Sequence, residues 1–277
     1  MKERPYIHGT SRREQQRLIE QATQLADLLQ ANLELRPGER LLEIGCGVGA
    51  VLGQIGLAHP DSQLCGIDIS PEQIKAAREH LRGLGLEAVE LVVGDGAALP
   101  WASTSMDRVR LVWVLEHLQE PLAVLREALR VLRPGGTLHL TETDYASLRV
   151  SPPDPAIAAM LGAFIAHFNR HGNAHAGPTL GPLLEQAGFS QVHNAMVGIH
   201  HWCPSRRDAV EGFCRYLLGF IEPERAALVA AAADATAAAL IQAGLERFAR
   251  LAERADGAIS LNVYQARGSR PAEPAAG

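Results

Sequence analysis

The sequence predicts an α/β protein with a seven-stranded, mostly parallel sheet, helices on both faces and two helical inserts. Three observations predict it. Between residues 40 and 143 short apolar runs alternate with amphipathic stretches, the pattern of strands joined by crossover helices. Several of these runs are nearly continuous in apolar residues, as a parallel sheet covered on both faces requires. The first strand ends abruptly in a glycine-rich turn, Leu41-Leu42-Glu43-Ile44-Gly45-Cys46-Gly47-Val48-Gly49-Ala50, where a ligand can approach the backbone.

Taken in order, residues 1–10 read as irregular and carry Tyr6 and His8. A helix is expected over 11–31, capped by Ser11 with Glu14 completing a capping box, its apolar stripe formed by Leu18, Ala22, Leu25 and Leu29. Strand one covers 40–44, and a helix follows over about 48–58. Strand two is Gln63–Asp68, and its helix, 71–83, is opened by Ser70 as cap and Pro71 at the first position. Strand three, Val89–Val93, runs into Gly94-Asp95-Gly96. Strand four is Asp107–Val114, with a helix over about 120–132. Arg133–Gly136 reads as a turn into strand five, Thr137–Thr143.

The alternation then breaks at an insert over about 145–176, which holds three prolines and a helix-like segment. It resumes with a helix at 179–187 and strand six at about 191–201. A second insert at about 205–255 reads as two or three Ala-rich helices, and strand seven is Ile259–Arg267. The organisation expected is therefore an N-terminal helical lid segment (1–35), one domain (36–270) with both inserts, and a disordered tail (271–277). Inserts that follow strands at the ligand-binding end of such a sheet are candidates for a lid.

Composition excludes several function classes. A net charge of -5 and the absence of a basic run argue against nucleic acid and anionic membrane as partners. The four cysteines lack C-x-x-C spacing, so neither a disulfide framework nor structural zinc is expected, and a reduced, cytoplasmic setting fits. Lys2 and Lys75 are the only lysines, which leaves Schiff-base chemistry almost no candidate. The N-terminus is polar rather than a signal peptide, and no apolar stretch is long enough to span a membrane.

The glycine turn admits two readings. Gly45-x-Gly47-x-x-Ala50 with Asp68 downstream satisfies the loose dinucleotide pattern, so an NAD(P)-dependent oxidoreductase stands beside a protein that binds another adenosine-containing cofactor. Three details favour the second. Glu43 precedes the glycines, where it would repel a pyrophosphate and suit a cation. Asp95 ends strand three, placed to accept from an exocyclic amine. The tyrosines are followed four residues later by Thr10, Arg149, Phe220 and Gly268, so the Tyr/Lys pair of short-chain reductases is missing.

Leu42–Gly49 resembles the first motif of class I S-adenosylmethionine-dependent methyltransferases. Asp68-Ile69-Ser70 resembles that family's second, acidic motif, and Gly94-Asp95-Gly96-Ala97 its third. Leu115-Glu116-His117-Leu118 and Leu132-Arg133-Pro134-Gly135-Gly136 resemble later signatures of its small-molecule branch. The resemblance runs through residues 36–145, with weaker echoes at 179–201 and 259–267. It implies a Rossmann-like fold and S-adenosyl-L-methionine as cofactor. Glu43, Gly45, Cys46, Gly47 and Gly49 would line its methionine end, and Asp68 would bind the ribose. Ile69 would pack on adenine, Asp95 would take the adenine amine, and Gly96 and Ala97 would offer backbone contacts. Val112 and His117 would flank the methionine, and Tyr6 would serve as a lid hydroxyl.

Methyl transfer from a sulfonium asks the protein mainly to align a nucleophile and exclude water. Where the acceptor is a hydroxyl or amine, a base helps. By position His117, Glu142, Asp144, His167, His171, His175, His200 and His201 qualify, and His117 and Asp144 are the candidates set by strand ends. His167, His171 and His175 share one face if a single helix carries them. A polar lid face explains that row better than a metal, so no metal is assigned. Seven aromatics in or beside the inserts (Phe164, Phe168, Trp202, Phe213, Tyr216, Phe220 and Phe248) would either line an acceptor cavity or pack the inserts. The expected function is methyl transfer to O, N or C of a small organic acceptor, a specialised metabolite or lipid-like compound. The alternatives are the oxidoreductase and a methyltransferase-fold protein that binds or cyclises its ligand.

Overall fold

The computed structural model describes residues 12–31 and 33–272. Tyr6, His8 and the capping box expected at Ser11 lie outside the described residues. Helices α1 (Arg12–Gln24) and α2 (Ala26–Gln30) stand where one helix was expected. The break at Leu25 follows Thr23, whose hydroxyl donates back to the Ile19 carbonyl at 2.9 Å, a bond that loosens the turn it crosses. The chain continues as β1 (Arg40–Ile44), α3 (Ala50–Ala58), β2 (Gln63–Asp68), α4 (Pro71–Gly83), β3 (Glu90–Val93) and β4 (Met106–Val112). Then come α5 (Pro121–Val131), β5 (Leu132–Ser151), α6 (Pro155–Phe168), α7 (Ala176–Ala187) and β6 (Ser190–Trp202). Helices α8 (Arg207–Ile221), α9 (Arg225–Ala230) and α10 (Ala235–Ala249) precede β7 (Ala258–Ser269).

The seven strands form one sheet in the order β3-β2-β1-β4-β5-β7-β6. The pairs β2–β3, β1–β2, β1–β4 and β4–β5 are parallel. The order reverses at β1, so the glycine turn sits at a topological switch point, where open α/β sheets bind ligands. As expected, Ser70 caps α4: its Oγ accepts from the Gln73 N–H at 3.2 Å, with Pro71 next. The turn read at Arg133–Gly136 is instead absorbed into β5. There the register against β4 shifts between Met106 and Arg108, and Gly135 takes φ +78°, as in a bulge.

The chain divides into two compact units. One comprises the described residues through Glu142, Gly177–Ala195 and those from Tyr264 on; the other comprises Thr143–Ala176 and Met196–Val263. In the first, Leu42, Ile44, Ile67, Val109, Leu111, Leu125, Leu138 and Leu140 belong to one buried cluster. In the second, Tyr145, Phe164, Phe168 and Phe220 pack ring on ring, with centroids 5.4–5.9 Å apart. Phe213 and Phe248 are buried as well. Of the two readings of these aromatics, core packing is therefore the one these side chains follow.

Strand β4 stops two residues short of its expected end. Trp113 adopts φ +53°, a left-handed conformation that costs a bulky residue about 1–3 kcal/mol. The cost is met by Glu142 on β5. Its carboxylate accepts the Val114 N–H at 2.9 Å, the Leu115 N–H at 2.7 Å and the Glu116 N–H at 3.3 Å. Burial nonetheless pushes its pKa up to about 7, because desolvation outweighs the three donors. Glu142, one of the positional base candidates, is thus the anchor of the short helical turn Leu115–His117. Replacing it (Glu142→Ala) leaves three buried donors unpaired and is expected to cost about 2–4 kcal/mol in urea unfolding; a loss below about 0.5 kcal/mol would deny the anchor.

Candidate functional site

The site is assembled in the first unit from the ends of β1, β2, β3 and β4. The Gly45 and Cys46 N–H groups both donate to the Ile67 carbonyl, at 2.8 and 3.0 Å, pinning the turn to β2. Gly45 has φ +72°, and a Cβ there would stand 2.5 Å from Val114 Cγ2. That position demands glycine on both counts. Gly47 takes φ +50°, and a Cβ there would be in ordinary contact with Leu18 Cδ1 of α1, at 3.8 Å. Gly49 begins α3 with φ +70°. The Cys46 side chain is buried in the core and burial raises its thiol well above the ordinary range, so it offers the site backbone only.

Glu43 is 2% exposed. Its carboxylate accepts the Leu52 N–H of α3, yet burial, opposed by Arg110, pushes its pKa up to about 8. Its Oε2 is buried and has no hydrogen-bond partner. A buried, unpartnered carboxylate oxygen is costly unless a ligand donor completes it. On the same turn Gly45 and Gly47 are part-exposed. This donor set fits an ammonium-bearing ligand.

Asp68 ends β2. Its Oδ2 accepts the Gly47 N–H and its Oδ1 the Ser70 N–H, each at 2.9 Å. Burial raises its pKa against those two bonds. Asp95 follows β3 and is exposed. Its Oδ1 accepts the Ala97 N–H at 2.9 Å, which fixes the carboxylate in a turn. Gly96 packs against Ile44, where a Cβ would fall 2.7 Å from Cγ2. Between these acids stand two bare apolar side chains, Ile69 at 65% and Val93 at 45% exposure. Asp68 and Val93 are register partners, so the two lie on adjacent strand ends.

At the end of β4, Val112 packs with Val48, Leu18 and Ala22 beside Trp113. His117 is half-buried, 3.5 Å from Glu116. Burial, with the Arg17 charge from α1, lowers its pKa to about 4. Asp144 belongs to the second unit. There its Oδ1 lies 3.2 Å from both His175 Nδ1 and the Ala146 N–H. The histidine row does not share a helix. α6 ends at Phe168, His167 pairs with Glu224 at 3.2 Å, and His175 pairs with Asp144. Among the described residues no group of three or more metal-ligating side chains occurs. No helix there is long and apolar enough to cross a membrane. Arg110, 3% exposed and opposite Glu43 in the β1–β4 register, escaped the sequence reading. The available signal was an arginine followed directly by the apolar strand end Leu111-Val112.

The methyltransferase domain family matches residues 42–140, the stretch that builds this site. A 24-methylenesterol C-methyltransferase 2 of Oryza sativa subsp. japonica is 39% identical over 133 residues, 48% of this chain and 35% of that protein. The 27-O-demethylrifamycin SV methyltransferase of Amycolatopsis mediterranei is 38% identical over 137 residues, 48% of this chain and 49% of that protein. The chain thus spans half or less of the length of these relatives. Among solved structures, the [4+2]-cyclase SpnF superposes with a TM-score of 0.56 at 24% identity, covering 91% of this chain and 82% of that one. That likeness is one of fold. Residues 42–140 thus match a methyltransferase domain, and the five motifs and the switch-point glycine turn of the same stretch agree with a methyltransferase of the class I, S-adenosylmethionine-dependent type.

Proposed function

We propose that the protein transfers a methyl group from S-adenosyl-L-methionine to O, N or C of a small organic acceptor. The observation that carries this reading is the unpartnered Oε2 of buried Glu43 beside the glycine turn. When bound, the cofactor supplies a methyl group already activated on a sulfonium sulfur. The chain's own residues do the rest. Glu43 receives the ammonium of the methionine end, and the backbone of Gly45, Cys46, Gly47 and Gly49 accommodates the chain beside it. Asp68 takes the ribose hydroxyls on lone pairs left by its two backbone donors. Ile69 and Val93 hold the adenine between them, while Asp95, Gly96 and Ala97 bind its edge. Val112 and His117 border the reacting end. A histidine with a pKa near 4 is neutral, so His117 orients by hydrogen bonding rather than by storing a proton. Asp144 acts through His175, whose tautomer its carboxylate fixes.

Support for a small acceptor comes from the relatives, one named for a sterol carbon and one for a rifamycin oxygen. A specialised metabolite or lipid-like compound fits both. A net charge of -5 disfavours nucleic acid, and four free, buried cysteines suit a reducing cytoplasm. Cyclisation without methylation is the second reading, favoured by the likeness to SpnF.

Asp68→Ala is expected to weaken S-adenosylhomocysteine binding by about 1–3 kcal/mol in calorimetry, through lost charge-assisted hydrogen bonds; unchanged affinity would refute the cofactor placement. Activity is tested with methyl-labelled S-adenosylmethionine and a panel of phenols, amines and polyketide-like acceptors. Label in an acceptor supports methylation. Acceptor conversion without label supports cyclisation, and binding of NADH in place of S-adenosylhomocysteine would favour an oxidoreductase.

A further inference from the structure

Arg110 occupies an unusual position in the first unit. Its guanidinium is buried on β4, directly across from Glu43 on β1. Its Nη2 donates to the carbonyl of Leu29, in the last turn of α2. Its Nε has no hydrogen-bond partner, and neither has Glu43 Oε2. The guanidinium favours the ionised form of Glu43, yet both side chains retain an open polar atom. An arginine in this position has two competing acceptors, a helix carbonyl on one side and a carboxylate on the other.

The carbonyl belongs to a segment that covers the glycine turn. Leu18 of α1 lies against Gly47, and Ala22 and Leu29 pack with Val48 and Ala50. Arg17 of α1 is close enough to His117 to depress its pKa. A second bond, from Gln265 Nε2 on β7 to the Leu28 carbonyl at 2.6 Å, anchors α2 independently of the site.

We infer that Arg110 is a positioning residue that couples docking of the α1–α2 segment to the readiness of Glu43 for the cofactor. With α2 docked, Leu29 holds the guanidinium and Glu43 Oε2 stays open to an incoming ammonium. With α2 released, the buried guanidinium loses its carbonyl, turns to Glu43 and closes the carboxylate against the ligand. A ligand that engages Glu43 therefore favours the docked segment, and docking favours the ligand by the same factor. The inference rests on the assignment of Glu43 to the cofactor's methionine end.

The test is amide hydrogen exchange across Ala26–Ala31 of the full chain, with and without S-adenosylhomocysteine, beside calorimetric affinity. In the wild type the ligand is expected to slow exchange there at least about 5-fold. In Arg110→Met, which keeps the stem and removes the donors, that ratio falls to near one, and Arg110→Lys restores part of it. Gln265→Leu loosens α2 without touching Glu43, and it is expected to weaken S-adenosylhomocysteine measurably, which keeps the test open should Arg110→Met fail to fold. Ligand binding with no change in α2 exchange, full coupling in Arg110→Met, or unaltered affinity in Gln265→Leu would overturn the inference while leaving the cofactor site standing. A wild type that binds no S-adenosylhomocysteine would overturn both.

Discussion

Burying a carboxylate at the end of a central parallel strand sets the terms for everything around it. Glu43 sits where the strand order reverses, out of water, with one oxygen tied to the first turn of α3 and the other without a partner. A charge in such a place is unfavourable unless it is compensated. Arg110 compensates part of it from β4 without closing a hydrogen bond. The remainder is an unmet demand for a donor beside the glycine turn. The resulting sign for pH is definite. A carboxyl whose pKa rises from 4.5 to about 8 on folding gives stability that is full below about pH 4.5. That stability is lost as pH rises through about 8.

The other strand ends serve that centre. Asp68 is held by one N–H of the glycine turn and one from its own helix, so the two motifs are a single hydrogen-bonded unit. Glu142 gathers three N–H groups after β4 and thereby places Val114 against Gly45 and fixes the turn that carries His117. Two buried acids thus perform opposite tasks. Glu142 is filled by backbone donors, whereas Glu43 keeps an oxygen open.

Much of this was legible in the residues because it is local. The glycines, the Ser70 cap, the strand that ends in Asp68 and the turn at Asp95 follow from short-range rules, and they lie where the sequence places them. What failed to show was long-range. Trp113 is left-handed because Glu142, far along the chain on β5, captures the next three N–H groups, and nothing near residue 113 announces it. The turn read at Arg133–Gly136 was absorbed by pairing with β4. The histidine row dissolved because α6 stops at Phe168, leaving its members to pair with Glu224 and Asp144 instead. Arg110 is one of three charged residues in β4, and its meaning depended on α2 folding back onto it.

Burial holds Glu43 protonated in the free protein near neutrality, and a cationic ligand group that binds beside it displaces that proton to solvent. This displacement is tested by calorimetric titration with S-adenosylhomocysteine at about pH 7 in buffers of different ionisation enthalpy, which counts protons exchanged on binding. The account predicts release of nearly one proton by the wild type and of almost none by Glu43→Gln. Binding without proton release by the wild type, or equal release by the variant, would contradict it.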